Sequence, residues 1–326
     1  MSFVSLCLRG KSNYRLATKS LRHEGKVFTQ IHLNANMPKI FSNLDYPFAT
    51  KFIQIDNYRI AYVDEGESDK VILFLHGLGS YIPAWKFNIQ ELKNYFRCIA
   101  IDLPGFGKSD KKIHPGSMEF YADVVNNFVH SIGIKKVNLV GHSMGGQIAI
   151  NCALNFPDKI DKLILIAPAG FERFTKEEIQ IIKNITKPEN FLTTDIRQIK
   201  ANYELSFYKF PEEAQFLIED RIKISEDDEF YNYCVAISNS IAGMIEQPIF
   251  ERLRNINQKT LVIFGRNDAL IPNKYLHKTT TEEIAKSGCA EIPHSELFLI
   301  DECGHFAQIE KSQAVNNYIK DFLSNS

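Results

Sequence analysis

The sequence predicts an α/β protein: a mostly parallel sheet covered by helices, with a helical insertion. Two observations carry this. Short, unbroken apolar runs ending in Gly or Pro alternate with segments of helical spacing, as strands buried on both faces and their crossover helices do. The rhythm lapses between residues 171 and 252, where no such run stands, and then resumes.

The elements follow in order. "KFIQI" and "RIAYVDEG" straddle the turn pair Asp56 and Asn57 and read as a hairpin. "KVILFLHG" (70–77) is the first buried strand, "WKFNIQELKNYF" (85–96) a helix, and "RCIAIDLPG" (97–105) the next strand. "MEFYADVVNNFVHSIG" (118–133) is a helix stopped at Gly133, followed by the strand "KKVNLVGH" (135–142). "MGGQIAINCALNFP" (144–157) is a helix stopped before Pro157, and "DKLILIAPAG" (161–170) a fourth buried strand. After the gap come the strand "KTLVIFG" (259–265), a helix near 274–286, the strand "ELFLI" (296–300) and a last helix over 306–323. This predicts a disordered or loosely docked extension (1–45), a core domain (46–170 and 253–326) and a cap (171–252) inserted between two core strands.

The 326 residues are 44% apolar and 24% charged, ordinary for a globular protein. A net charge of −1 gives no basic field, so nucleic acid is not expected as a partner. Cys7, Cys98, Cys152, Cys234, Cys289 and Cys303 are scattered, without metal-ligand spacing. They read as reduced thiols of a cytoplasmic protein, and no metal site is implied. No apolar run approaches the roughly 18 residues that span a bilayer. Residues 1–36 set Arg9, Lys11, Arg15, Lys19, Arg22 and Lys26 against Glu24. A transit peptide, a loose tail, and an over-long reading frame before Met37 stay open. The oligomeric state is open too.

"LVGHSMGGQIAI" (139–150) places a serine where a strand turns sharply into a helix. Gly141, Ser143 and Gly145 fit G-x-S-x-G, in which the serine sits on a strained turn with its hydroxyl raised above the sheet. The free N–H groups of the following helix suit a developing oxyanion. Serine alone is a weak nucleophile and needs a base with an orienting acid. "GFGKS" (105–109) ends like a phosphate-binding loop, but Asp102 stands where that pattern needs its first glycine, so no nucleotide site is expected.

"HGLGS" (76–80), "DLPGFGKSD" (102–110), "GHSMGG" (141–146), "GRNDALIP" (265–272) and "ECGHFAQIE" (302–310) stand in this order within residues 50–326. With them the chain resembles the α/β-hydrolase superfamily, and within it the serine-nucleophile, esterase- and lipase-like members. The resemblance implies a nucleophile, acid and base in that order on loops at strand ends: Ser143, Asp268 and His305. Asp301 and Glu302 lie too near the base in sequence. The oxyanion donors would be the N–H groups of Met144 and Leu78. Gly77, Trp85, His142 and Phe306 are expected around the substrate. Trp85 either walls the pocket or anchors its helix, His142 packs beside the elbow, and His76 helps fold its loop. The implied reaction is hydrolysis of a small-molecule ester through an acyl-enzyme, without cofactor. The aromatic-rich cap favours apolar acyl or aromatic esters. Two alternatives stand. One is a carbon–carbon bond hydrolase of ring-cleavage products, which "CGHFAQIE" resembles. Against it, Phe306 replaces that group's usual tryptophan, and "HGLGS" is a less glycine- and serine-rich loop. The other is a non-catalytic ligand-binding member of the fold.

Overall fold

A computed structural model describes residues 39–324. In chain order the core elements are β1 (Lys51–Ile55), β2 (Tyr58–Glu65), β3 (Val71–Leu75), α1 (Lys86–Leu92), β4 (Arg97–Ile101), α2 (Met118–Ser131), β5 (Val137–His142), α3 (Met144–Asn155) and β6 (Ile160–Ile166). Five helices follow: α4 (Lys176–Ile185), α5 (Pro188–Leu192), α6 (Ile196–Leu205), α7 (Gln215–Lys223) and α8 (Phe230–Glu246). The chain then forms β7 (Lys259–Gly265), α9 (Thr281–Glu291), β8 (Ser295–Ile300), α10 (Ala307–Glu310) and α11 (Ser312–Ser324). The eight strands make one sheet in the order β1-β2-β4-β3-β5-β6-β7-β8. β2 runs antiparallel to β1 and β4, and all other pairs are parallel.

Alternation along the central strands splits the core into two layers. Leu73, Leu75, Leu139, Leu163, Val262 and Phe264 join the layer under α2 and α3. Their neighbours Ile72, Phe74, Val140, Ile164, Leu261 and Ile263 face the layer under α1 and α11. Both faces being covered, these strands read as unbroken apolar runs.

Three expectations change. The helix expected near 274–286 starts only at Thr281. Thr280 accepts the Glu283 N–H and the Glu283 carboxylate accepts the Thr280 N–H, a reciprocal cap that fixes the start. The last helix is broken at Lys311, whose backbone (φ −130°, ψ 43°) is not helical. The extension is not loose where it is described: Phe41 and Leu44 are only 4% and 6% exposed. Asp227, just before α8, accepts the N–H groups of Ile40 and Phe41. The readings of residues 1–36 lie outside the described residues. Among the described residues, no helix is long and apolar enough to cross a membrane.

Candidate active site

Ser143 joins β5 to α3 with φ 53° and ψ −116°, a conformation unfavourable for a side-chain-bearing residue. Backbone bonds clamp it there. Its N–H donates to Ile166 O at 3.0 Å at the end of β6, and its carbonyl accepts the Ala169 N–H at 3.0 Å from the turn that follows. The glycines have a steric cause. A Cβ on Gly141 would stand 2.2 Å from Gly145 O, and one on Gly145 would stand 2.4 Å from Leu75 O. Gly141 lets α3 turn back close on β5, and Gly145 lets α3 pass close to the end of β3.

Asp268 lies after β7 and is fully buried. One carboxylate oxygen accepts the N–H groups of Leu270 (2.7 Å) and Ile271 (3.1 Å). The other faces His305 Nδ1 at 2.7 Å. His305 follows β8, and its own backbone is tied on two sides. Its N–H donates to Ser206 O at 2.8 Å, and its carbonyl accepts from His142 Nε2 at 3.0 Å. With Nδ1 donating to the carboxylate, Nε2 is the nitrogen left to act as base. His305 and Ser143 border one cavity, which encloses about 470 Å³ of empty space with its open mouth included. Among the described residues no hydrogen bond joins the serine hydroxyl to the ring; the two share the cavity, and such contacts commonly tighten only with substrate bound.

The remaining expected residues separate. Gly77, Leu78, His142 and Phe306 border the cavity. The Met144 backbone opens α3, where first-turn N–H groups lack helical partners. Trp85 is displaced from the site: its ring packs on Phe74 (centroids 5.0 Å) in the layer under α1 and α11, so it anchors its helix. His76 donates from Nδ1 to Gly77 O (2.8 Å) and accepts the Leu103 N–H at Nε2 (3.0 Å), tying two strand-end loops together. Burial pushes its pKa down to about 4. Burial also holds His142 well below the ordinary histidine range, so both rings are neutral. Asp301 turns outward to Arg266.

Four cavity residues were not anticipated: Asn202, Tyr203 and Ser206 at the end of α6, and Leu270 beside the acid. Nothing in their local pattern marks them. A second chamber adjoins across Gly79 and Tyr203, and Arg221 borders it. The "GFGKS" loop is folded on its own groups. Lys111 Nζ donates to the carbonyls of Gly107 and Ser109, and Asp102 accepts the N–H groups of Ile82 and Lys108.

A family sequence profile described as alpha/beta hydrolase fold matches residues 70–219. The chain has the α/β-hydrolase fold. The chain is 28% identical over 292 residues to the 2-hydroxy-6-oxononadienedioate/2-hydroxy-6-oxononatrienedioate hydrolase 1 of Pseudomonas putida, covering 84% of this chain and 96% of that one. It is 27% identical over 283 residues to the dihydrolipoyllysine-residue acetyltransferase component of the acetoin cleaving system of Cupriavidus necator, covering 86% and 70%. In structure it is similar to a probable hydrolytic enzyme from Pseudomonas aeruginosa PAO1, with a TM-score of 0.79 at 20% identity over 89% of this chain and 99% of that one.

Proposed function

We propose that this α/β-hydrolase is a serine hydrolase of carboxylic esters. The observation that carries the reading is the buried Asp268–His305 pair, whose imidazole borders one cavity with Ser143 on its strained elbow. Ser143 Oγ attacks the ester carbonyl carbon while His305 Nε2 takes its proton. The N–H groups of Met144 and Leu78 hold the oxyanion. Collapse expels the alcohol, which takes the proton back from His305. Water, deprotonated by His305, then attacks the acyl-enzyme and releases the acid and Ser143. Residues 171–252 act as a cap that excludes water. Described cysteines Cys98, Cys152, Cys234, Cys289 and Cys303 are free thiols, which supports a reducing, cytoplasmic setting.

A second reading, carbon–carbon bond hydrolysis, is favoured by one feature. Arg221 is 3% exposed, and among the described residues its Nε and Nη1 have no hydrogen-bond partner. A buried guanidinium with open donors suits a carboxylate on the substrate. The Pseudomonas putida relative is named for dioate substrates.

A fluorophosphonate probe tests the nucleophile: it labels the native protein and not Ser143→Ala. A panel of p-nitrophenyl esters against a ring-cleavage diketone acid separates the readings. Turnover of the esters supports the first, and turnover of the diketone acid alone replaces it with the second. Arg221→Met raises KM for carboxylate-bearing substrates far more than for neutral esters.

A further inference from the structure

We propose that residues 39–46 are part of the substrate site, with Phe41 and Leu44 forming the end wall of the second chamber. They thereby set the length of acyl chain that fits past the oxyanion loop. The inference rests on the ester-hydrolase reading for what occupies the site. The chamber adjoins the catalytic cavity across Gly79 and Tyr203, and with its open mouth included it encloses about 290 Å³ of empty space. Besides Arg221 and Asp220 at one end, its walls include Leu217, Ile224 and Tyr233. Asp220 is already engaged, by the Tyr81 hydroxyl at 2.6 Å and by Lys223. Apart from the open donors of Arg221 and the Ser80 hydroxyl, the wall is mostly carbon, which suits an alkyl chain.

The segment is fastened at several points, from both the core and the insertion. Asp227, itself buried, accepts two of its N–H groups. The Phe41 ring packs on Tyr233 with centroids 5.6 Å apart, and Lys111 Nζ lies 4.2 Å from its centre. The Tyr46 hydroxyl donates to Asp102. A segment fixed in this way holds the wall at one depth.

Binding in a Ser143→Ala background reads the length limit without any turnover. The dissociation constants of p-nitrophenyl alkanoates, from butanoate to decanoate, are compared with and without Phe41→Ala. Removing the ring should move the tightest binder to a longer chain. The octanoate-to-butanoate affinity ratio should rise roughly tenfold, the scale of one to two methylenes in an apolar pocket. Phe41→Leu should give a smaller shift in the same direction. Leu44→Ala carries the test if Phe41→Ala does not fold. A ratio that stays within about twofold of its original value in folded variants overturns the proposal. Fluorophosphonate labelling of Ser143 in the native protein is scored separately, so the failure of the hydrolase reading and of this one are told apart.

Discussion

Asp268→Asn changes the proposed orienting acid with almost no change in volume, and the surrounding loop decides how the amide sits. One Asp268 oxygen takes the N–H groups of Leu270 and Ile271, so the asparagine oxygen must occupy that side. Its NH₂ group then faces His305 Nδ1, 2.7 Å away in the native protein. An amide NH₂ only donates, so Nδ1 must present its lone pair and the ring proton moves to Nε2. That nitrogen can no longer take the proton of Ser143. The expected loss in kcat is about ten-thousand-fold, or about 5.5 kcal/mol, the scale seen for this change in a serine protease. Stability falls far less, by about 1–3 kcal/mol, because both backbone donors keep an acceptor. The assay is the pre-steady-state release of p-nitrophenol from p-nitrophenyl acetate, with a urea midpoint as the folding control. A folded variant keeping more than about a tenth of native kcat would refute the tautomer argument.

Other outcomes follow from the same geometry. Ser143 holds a strained backbone (φ 53°), so Ser143→Gly should be more stable than Ser143→Ala by about 1 kcal/mol; equal urea midpoints would show that no strain is stored there. In Gly145→Ala the new Cβ would meet Leu75 O at 2.4 Å and His76 O at 2.6 Å, both backbone atoms that cannot swing away. A loss of about 2–4 kcal/mol is expected, and a loss under about 1 kcal/mol would mean α3 can slide. Acid should destabilise the fold through His76, lowered by burial from 6.5 to about 4. Between these values the unfolded chain binds the proton and the folded one does not. The stability from a neutral His76 is therefore complete above 6.5 and is lost on acidification. Relative to His76→Gln, the native protein should lose about 1.4 kcal/mol per pH unit in that window, and parallel pH profiles of the two urea midpoints would contradict this.

Much of the core was legible because its constraints are local. Burial on both faces removes alternation, so β3, β5, β6 and β7 show as apolar runs. The elbow glycines are legible because α3 passes too close to β5 at Gly141 and to the end of β3 at Gly145 to admit a side chain. The resemblance, not periodicity, pointed to Asp268 and His305, and the structure brings them into one hydrogen-bonded pair. Other features had no local mark. The helical spacing around Trp85 is the same whichever layer its ring enters; packing on Phe74 decided that. The start of α9 depended on which threonine could close a cap with a glutamate. Arg221 reads as an ordinary charged residue on a helix until its surroundings are known. Phe41 reads as part of a tail until Asp227 is found beneath it.

The sequence by itself determined the class of fold, the strand–turn–helix that carries Ser143, and the chain order of the three candidate catalytic side chains. These depend on steric and burial patterns spanning a few residues. Only the tertiary structure decided that β4 lies outside β3, that Asn202 and Tyr203 of α6 line the cavity, and that Phe41 and Leu44 line its neighbour. The walls of a cavity come from segments as distant as Phe41 and Tyr233, and their meeting is fixed by packing between elements, to which no stretch of local pattern refers.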